Sequence, residues 1–298
     1  MNVKNQYHGK NFSLYNGDST EVLKSIPDES IHYSVFSPPF LSLYVYSNDF
    51  RDLGNSRNDG QFYEHFNFII KELFRVIKSG RLVSVHCVDV PMMKERDGVI
   101  GLKDFPGEII RLFRENGFIY HSRVTIYKSP VVEMVRTNAI GLLHKQLKKD
   151  SAMSRMGLPD YVVTFRKPGV NDEPITHTQE SYPVDLWQKV AEPVWMDIKQ
   201  SNTLNARAAR SENDERHIVP LQLDTIQKCV ELWSNPGDVV LSPFAGVGSE
   251  IYQSLKMKRR GIGIELKDSY FNQAIKNCLA AEDTEHEQVD MFDLLEGL

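Results

Sequence analysis

"VVLSPFAGVGSEIYQSL", residues 239–255, runs from an apolar β-branched stretch into a Gly-rich turn and straight on into a helical pattern. A strand–turn–helix unit of this kind is the repeating element of layered α/β folds. Gly246 and Gly248 let the backbone come close to a ligand, and the free N–H groups of a helix start favour an anion such as a carboxylate or phosphate. The same glycines would also serve a turn that is simply tight. A dinucleotide site would want a third glycine three residues after Gly248, and Ile251 stands there. Seventeen residues after Gly248, "GIGIE" ends in Glu265. An acid at the tip of the next strand can accept both hydroxyls of a ribose.

Outward from this unit, the same alternation continues on both sides. "LQLDTIQKCVELW" before it and "SYFNQAIKNCLAA" after it read as helices, and "RGIGIE" as a strand. In the first half, "NFSLYNGDSTEVLKSIPDESIHYSVF" reads as strand, turn, short helix, turn, strand, with Asp18-Ser19 placed to cap the helix. "FYEHFNFIIKELFRVIKSG" is an amphipathic helix that Gly80 is expected to close. "RLVSVHCV", "FPGEIIRLFRENGF" and "IYHSRVTIYK" follow as strand, helix and strand. The fold class expected is α/β, a mixed and mostly parallel sheet with helices on both faces. The alternation lapses between about 130 and 215, which divides the chain into 1–130, 131–215 and 216–298.

One strand ends oddly. "YSVFSPPFLS", residues 33–42, leads Val35 and Phe36 into Ser37, two prolines and Phe40. Prolines donate no backbone hydrogen bond and stop a strand where they stand. The result is a rigid knuckle with a hydroxyl on one side and a ring on the other.

Composition bounds the class. At 298 residues, 41% hydrophobic and 25% charged, the chain suits a globular protein with a sizeable core. It holds no apolar run long enough for a membrane span, and its N-terminus lacks an apolar signal core, so a cytoplasmic location is expected. Cys87, Cys229 and Cys278 are far apart, with no zinc spacing and no disulfide framework, and are expected as buried apolar fillers with no metal. Net charge is −5, but residues 123–167 hold nine Lys or Arg against three acids. The tail after Ala281 holds seven acids and no Lys or Arg. Opposed blocks like these predict one surface facing a polyanion and one solvated acidic face.

Taken together, these motifs resemble a family. "SPPF" at 37–40 is similar to the (D/N/S)PP(Y/F/W) motif of S-adenosylmethionine-dependent DNA amino-methyltransferases, which modify N6 of adenine or N4 of cytosine. "SPFAGVGS" at 242–249 resembles that family's cofactor motif DPFxGxGT, with Ser242 in place of Asp and Ser249 in place of Thr. "NGDS" at 16–19 resembles the acidic turn upstream of the catalytic motif. The catalytic motif precedes the cofactor motif, an order that matches the family's permuted beta group. The resemblance covers about 1–130 and 216–280. It implies a Rossmann-like methyltransferase fold with an inserted target-recognition region at 131–215, S-adenosyl-L-methionine as cofactor, and double-stranded DNA as partner. A homodimer and a companion restriction nuclease stay open, and no membrane partner is expected.

It also implies roles. Ser37 Oγ and the Pro38 carbonyl would accept the two hydrogens of a target amine, held in place by Pro38 and Pro39, while Phe40 stacks on a base flipped out of the duplex. Such catalysis is mainly positioning, with direct attack and no covalent intermediate. Gly246, Gly248 and Ser249 would meet the cofactor's methionine carboxylate, Phe244 its sulfonium region, Glu265 its ribose and Asp18 its adenine amino group. Ser37 at the head of the knuckle favours cytosine N4 slightly over adenine N6.

In the middle segment Arg136, Lys145, Lys148, Lys149, Arg155, Arg166, Lys167, Arg207 and Arg210 are expected on phosphates, with His144 and Gln146 as base-edge readers. Trp187 and Trp195 are expected as packing anchors. The loop at 44–60 is expected to close over the flipped base. Two rival readings are the same chemistry on RNA or a protein glutamine, and a DNA-binding protein whose cofactor site has decayed.

Overall fold

The structure, a computed structural model, describes residues 3–41, 53, 56, 58–92, 94–131, 158–205 and 220–296, with side chains described as far as 283. Its framework is one nine-stranded sheet in the order β1-β2-β11-β10-β3-β4-β8-β7-β9. In chain order these are β1 (Asn5–His8), β2 (Phe12–Asn16), β3 (Ile31–Phe36), β4 (Ile77–Val88), β7 (Ile119–Ile126), β8 (Asp160–Arg166), β9 (Val194–Trp195), β10 (Val239–Ser242) and β11 (Arg260–Glu265). A separate small hairpin pairs β5 (Val90–Met92) with β6 (Gly101–Lys103). The centre, β2-β11-β10-β3-β4, is parallel throughout, while β8 runs antiparallel to both β4 and β7. The expected mixed, mostly parallel α/β fold is therefore the observed one.

Alternation along the strands sorts the core onto two faces. Phe36, Val83, Val85, Val163 and Leu241 face one way, under α1 (Ser19–Leu23), α2 (Asp59–Val76) and α4 (Phe105–Glu115). Tyr33, Val35, Leu82, Val162 and Val240 face the other, under α5 (Val184–Ala191) and α6 (Leu223–Trp233). Phe12 and Leu14 pack beneath α7 (Ser249–Lys256) and α8 (Asp268–Glu296). The short α3 (Lys94–Asp97) buries no residue.

Several expectations need correction. Gly80 does not close α2. The helix stops at Val76 because Ile77 already pairs with Ile31 in the sheet. The register then slips between Ile31 and Tyr33, and Gly80 lies in that irregularity at φ +72°. The segment 131–215 is not uniformly outside the alternation. It supplies β8, an inner strand, together with α5 and β9. Lys167 is also not free for a phosphate. It is buried, donates to the Ile77 carbonyl at 2.8 Å and pairs with Glu29 at 3.0 Å. Arg166 donates to the Gly169 carbonyl at 2.9 Å. Trp195 is the core anchor expected of it, whereas Trp187 is 51% exposed and is not part of the buried core.

Candidate active site

In an open α/β sheet, ligands bind beyond the carboxyl ends of the strands, where the chain turns left from one strand and right from its neighbour. Here that point lies between β3 and β10. The chain leaves β3 toward β4 on one side and leaves β10 toward β11 on the other. The two strands are parallel neighbours, with Tyr33 opposite Val240 and Ser34 opposite Leu241. The Ser37 knuckle and the glycine turn at 243–248 therefore leave the sheet side by side, although more than two hundred positions separate them in sequence. Phe36 and Phe244 bring their ring centroids to 5.7 Å across the gap.

The acidic turn at 16–19 joins them. Ser19 Oγ donates to the Pro243 carbonyl. Gly17 N donates to the Glu265 carbonyl at 3.0 Å, and Asn16 Nδ2 does the same at 3.0 Å. Asp18 caps α1 by accepting from Thr20 N at 2.7 Å. All three motifs thus converge on one edge.

The glycine turn is preformed. Gly246 adopts φ +53°, with open space where a side chain would stand, and Gly248 adopts φ +87°. Both conformations favour glycine. Glu265 uses both carboxylate oxygens to tie the turn to the strand end, accepting from Gly246 N and Lys267 N at 2.8 Å each. A carboxylate oxygen can accept from more than one donor. The hydroxyls of Ser242 and Ser249 are buried with no hydrogen-bond partner among the described residues. An orphaned hydroxyl in this place fits a polar ligand that supplies the partner. Glu250 follows in the first turn of α7, and burial pushes its carboxyl up to about 8, with the Glu265 charge adding to the effect.

On the other strand, Pro38 is buried while Ser37, Pro39 and Phe40 are half-buried. Phe40 packs 6.0 Å from the rings of both His86 and Phe105. Ser37 Oγ lies 3.1 Å from Nδ1 of His86, and His86 Nε2 lies 3.1 Å from Asp160 Oδ2. Asp160 Oδ1 in turn pairs with Lys128 Nζ at 2.6 Å. Burial alone would raise the Asp160 carboxyl, but His86 and Lys128 outweigh it and hold the group below the usual carboxylate range. Sequence reasoning missed His86, Asp160 and Lys128 as site residues. Two of the three were counted only as charge. No signal in the sequence marked His86: it follows Val85, the partner of Phe36, and only that register sets it level with Ser37.

The candidates Arg136, Lys145, Lys148, Lys149, Arg155, Arg207 and Arg210, with His144 and Gln146, lie outside the described residues, as does most of the loop at 44–60. One further cluster sits at the opposite, amino-terminal ends of β3 and β10. His32, Glu173 and Asp238 bring potential ligand atoms within 4.8 Å of one another. Arg81 already pairs with Asp238 and Lys78 with Glu173, so the cluster is a closed ion network. No helix among the described residues is long and apolar enough to cross a membrane.

A family model described as DNA methylase matches residues 31–276. The Type II beta methyltransferase M.BslI of Bacillus sp. (strain NEB-606) is 25% identical over 279 residues, covering 88% of this chain and 27% of that protein. This chain thus spans about a quarter of that relative's length. The Type II methyltransferase M.BglI of Bacillus subtilis is 22% identical over 320 residues, covering 92% of this chain and 88% of that protein. A Thermus thermophilus protein, provisionally described as a DNA modification methylase and solved with S-adenosyl-L-methionine, shares the fold at a TM-score of 0.68. It is 24% identical, over 90% of this chain and 93% of that one. The cytosine-N4-specific PvuII DNA methyltransferase does so at 0.65, with 18% identity over 93% and 90% of the two chains.

Proposed function

The chain belongs to the DNA methylase family, and from that premise we propose that it moves a methyl group from S-adenosyl-L-methionine to an exocyclic amine of a base flipped out of double-stranded DNA, as a site-specific enzyme of the permuted beta group. The observation that carries this reading is the parallel pairing of β3 with β10, which sets the Ser37 knuckle beside the glycine turn. The cofactor supplies a methyl group on a sulfonium. Gly246, Gly248 and Ser249 hold its carboxylate end, Glu265 its ribose, Asp18 its adenine and Phe244 the sulfonium region. The preformed turn and the unpartnered Ser249 hydroxyl support that assignment. Glu265 ties the turn itself, so Ser242 in the usual place of Asp gives no reason to read the site as decayed.

The amine is a weak nucleophile, because its lone pair is delocalised into the ring. Ser37 Oγ and the Pro38 carbonyl accept its two hydrogens and localise that pair, while Phe40 stacks on the base. Cytosine N4 is the preferred target, since the knuckle opens with Ser. DNA recognition is assigned to the basic stretch within 131–215, with Arg136, Lys145, Lys148, Lys149 and Arg155 on phosphates, joined by Arg207 and Arg210.

Incubation with methyl-labelled cofactor and, separately, unmodified plasmid DNA, RNA and total protein is the test. Label should enter DNA as N4-methylcytosine. Label entering only RNA or protein, or none at all with cofactor still bound, contradicts the reading.

A further inference from the structure

Ser37 can serve the amine only as an acceptor, yet a serine hydroxyl is free to turn and donate instead. The chain behind it removes that freedom. Asp160 is buried and paired through Oδ1 with Lys128, which keeps it ionised, so its Oδ2 can only accept. His86 Nε2, 3.1 Å away, must therefore carry the proton. In the neutral imidazole, which has one N–H, that leaves Nδ1 bare to accept the Ser37 hydroxyl hydrogen across 3.1 Å. The tautomer is fixed by the carboxylate, as it is in a Ser-His-Asp triad. In that triad the serine becomes a nucleophile. Here it stands at the head of a proline knuckle in an amine-methylating family, and its oxygen is what matters.

We propose that His86, held by Asp160 and Lys128, is a positioning residue that locks the Ser37 hydroxyl hydrogen away from the substrate, so that both oxygen lone pairs face the incoming amine. The lock selects chemistry. A base presenting N–H donors at this place is held, whereas one presenting a ring carbonyl meets an oxygen that cannot donate to it. The inference deepens the methyltransferase reading and rests on it.

The test combines kinetics with a spectrum that needs no turnover. His86→Leu removes the acceptor and should lower kcat on plasmid DNA about a hundredfold, the scale of a misplaced catalytic group. The KM and calorimetric Kd for S-adenosyl-L-methionine should stay within about threefold of wild type. His86→Asn puts an oxygen near the place of Nδ1 and should recover most of the lost kcat. In ¹⁵N-histidine spectra of the wild type, the signals absent from His86→Asn should show Nε2 protonated and Nδ1 bare, and Ser37→Ala should shift the Nδ1 signal. Wild-type kcat in His86→Leu, or a protonated Nδ1, overturns the proposal. A wild-type protein that methylates no DNA would sink the functional reading instead, while the spectrum would still report the direction of the Ser37–His86 bond.

Discussion

Leu41 follows the knuckle with φ +54°, a region that costs a residue with a Cβ about 1–2 kcal/mol. Burial of its side chain and a bond from its N–H to the Pro39 carbonyl at 3.1 Å hold it there. Strain of this kind concentrates where a chain must be aimed, and here it turns the backbone sharply after Phe40. Ser37 itself was legible as a motif, because its meaning lies in four adjacent residues. His86 was not, because only the register of β3 against β4 sets it beside Ser37. Glu250 was missed for a similar reason, since a lone acid in a helix start looks like an ordinary favourable charge near the helix N-terminus. Its carboxyl, raised to about 8, makes a pH prediction. Between the ordinary glutamate range and pH 8 the folded chain keeps a proton that the unfolded chain releases. Stability should therefore fall as pH rises through that window and level off above it. Glu250→Gln keeps the neutral shape. It should match the wild type in urea denaturation near pH 5 and exceed it by on the order of 2–4 kcal/mol near pH 8.5. Equal midpoints at the higher pH would refute this.

At the scale of elements, strands and helices with strong periodicity were readable, and the joints were not. The six apolar residues that α2 buries follow one helical stripe, from Phe62 to Val76. The end of α2 depends instead on the partner strand, because pairing of Ile77 with Ile31 draws the chain out of the helix. β8 was overlooked because its flanks are charged. The "YVVTF" core is a plain β-branched and aromatic run, and only its pairing with β4 and β7 shows that it is internal. Gly80 tests the corrected reading. A Cβ at that position would stand 2.9 Å from Asn171 N and 2.7 Å from its Cβ. Gly80→Ala should therefore cost more than the roughly 1–2 kcal/mol of the left-handed conformation alone. A helix-ending glycine followed by open space would cost only that smaller amount, so the urea midpoint separates the two.

At the scale of the whole molecule, two distant stretches of chain make one site. The sheet does this by placing β10, from the second half, between β11 and β3. Behind the site, the buried Arg81 guanidinium spans the two halves, donating to the His32 carbonyl at 2.9 Å and pairing with Asp238. The fold class was legible because alternation survives in both halves, and the three motifs were legible because each is short and contiguous. The charge asymmetry pointed to a polyanion, but most of the basic residues expected to meet it lie outside the described ones. The proposed function depends above all on Ser37 gripping an amine beside a separately held methyl donor. The most direct measurement is methyl transfer to plasmid DNA by Ser37→Ala, alongside calorimetric binding of S-adenosyl-L-methionine. The variant should lose about a hundredfold or more in kcat with cofactor affinity unchanged. Full transfer by the alanine variant would contradict it.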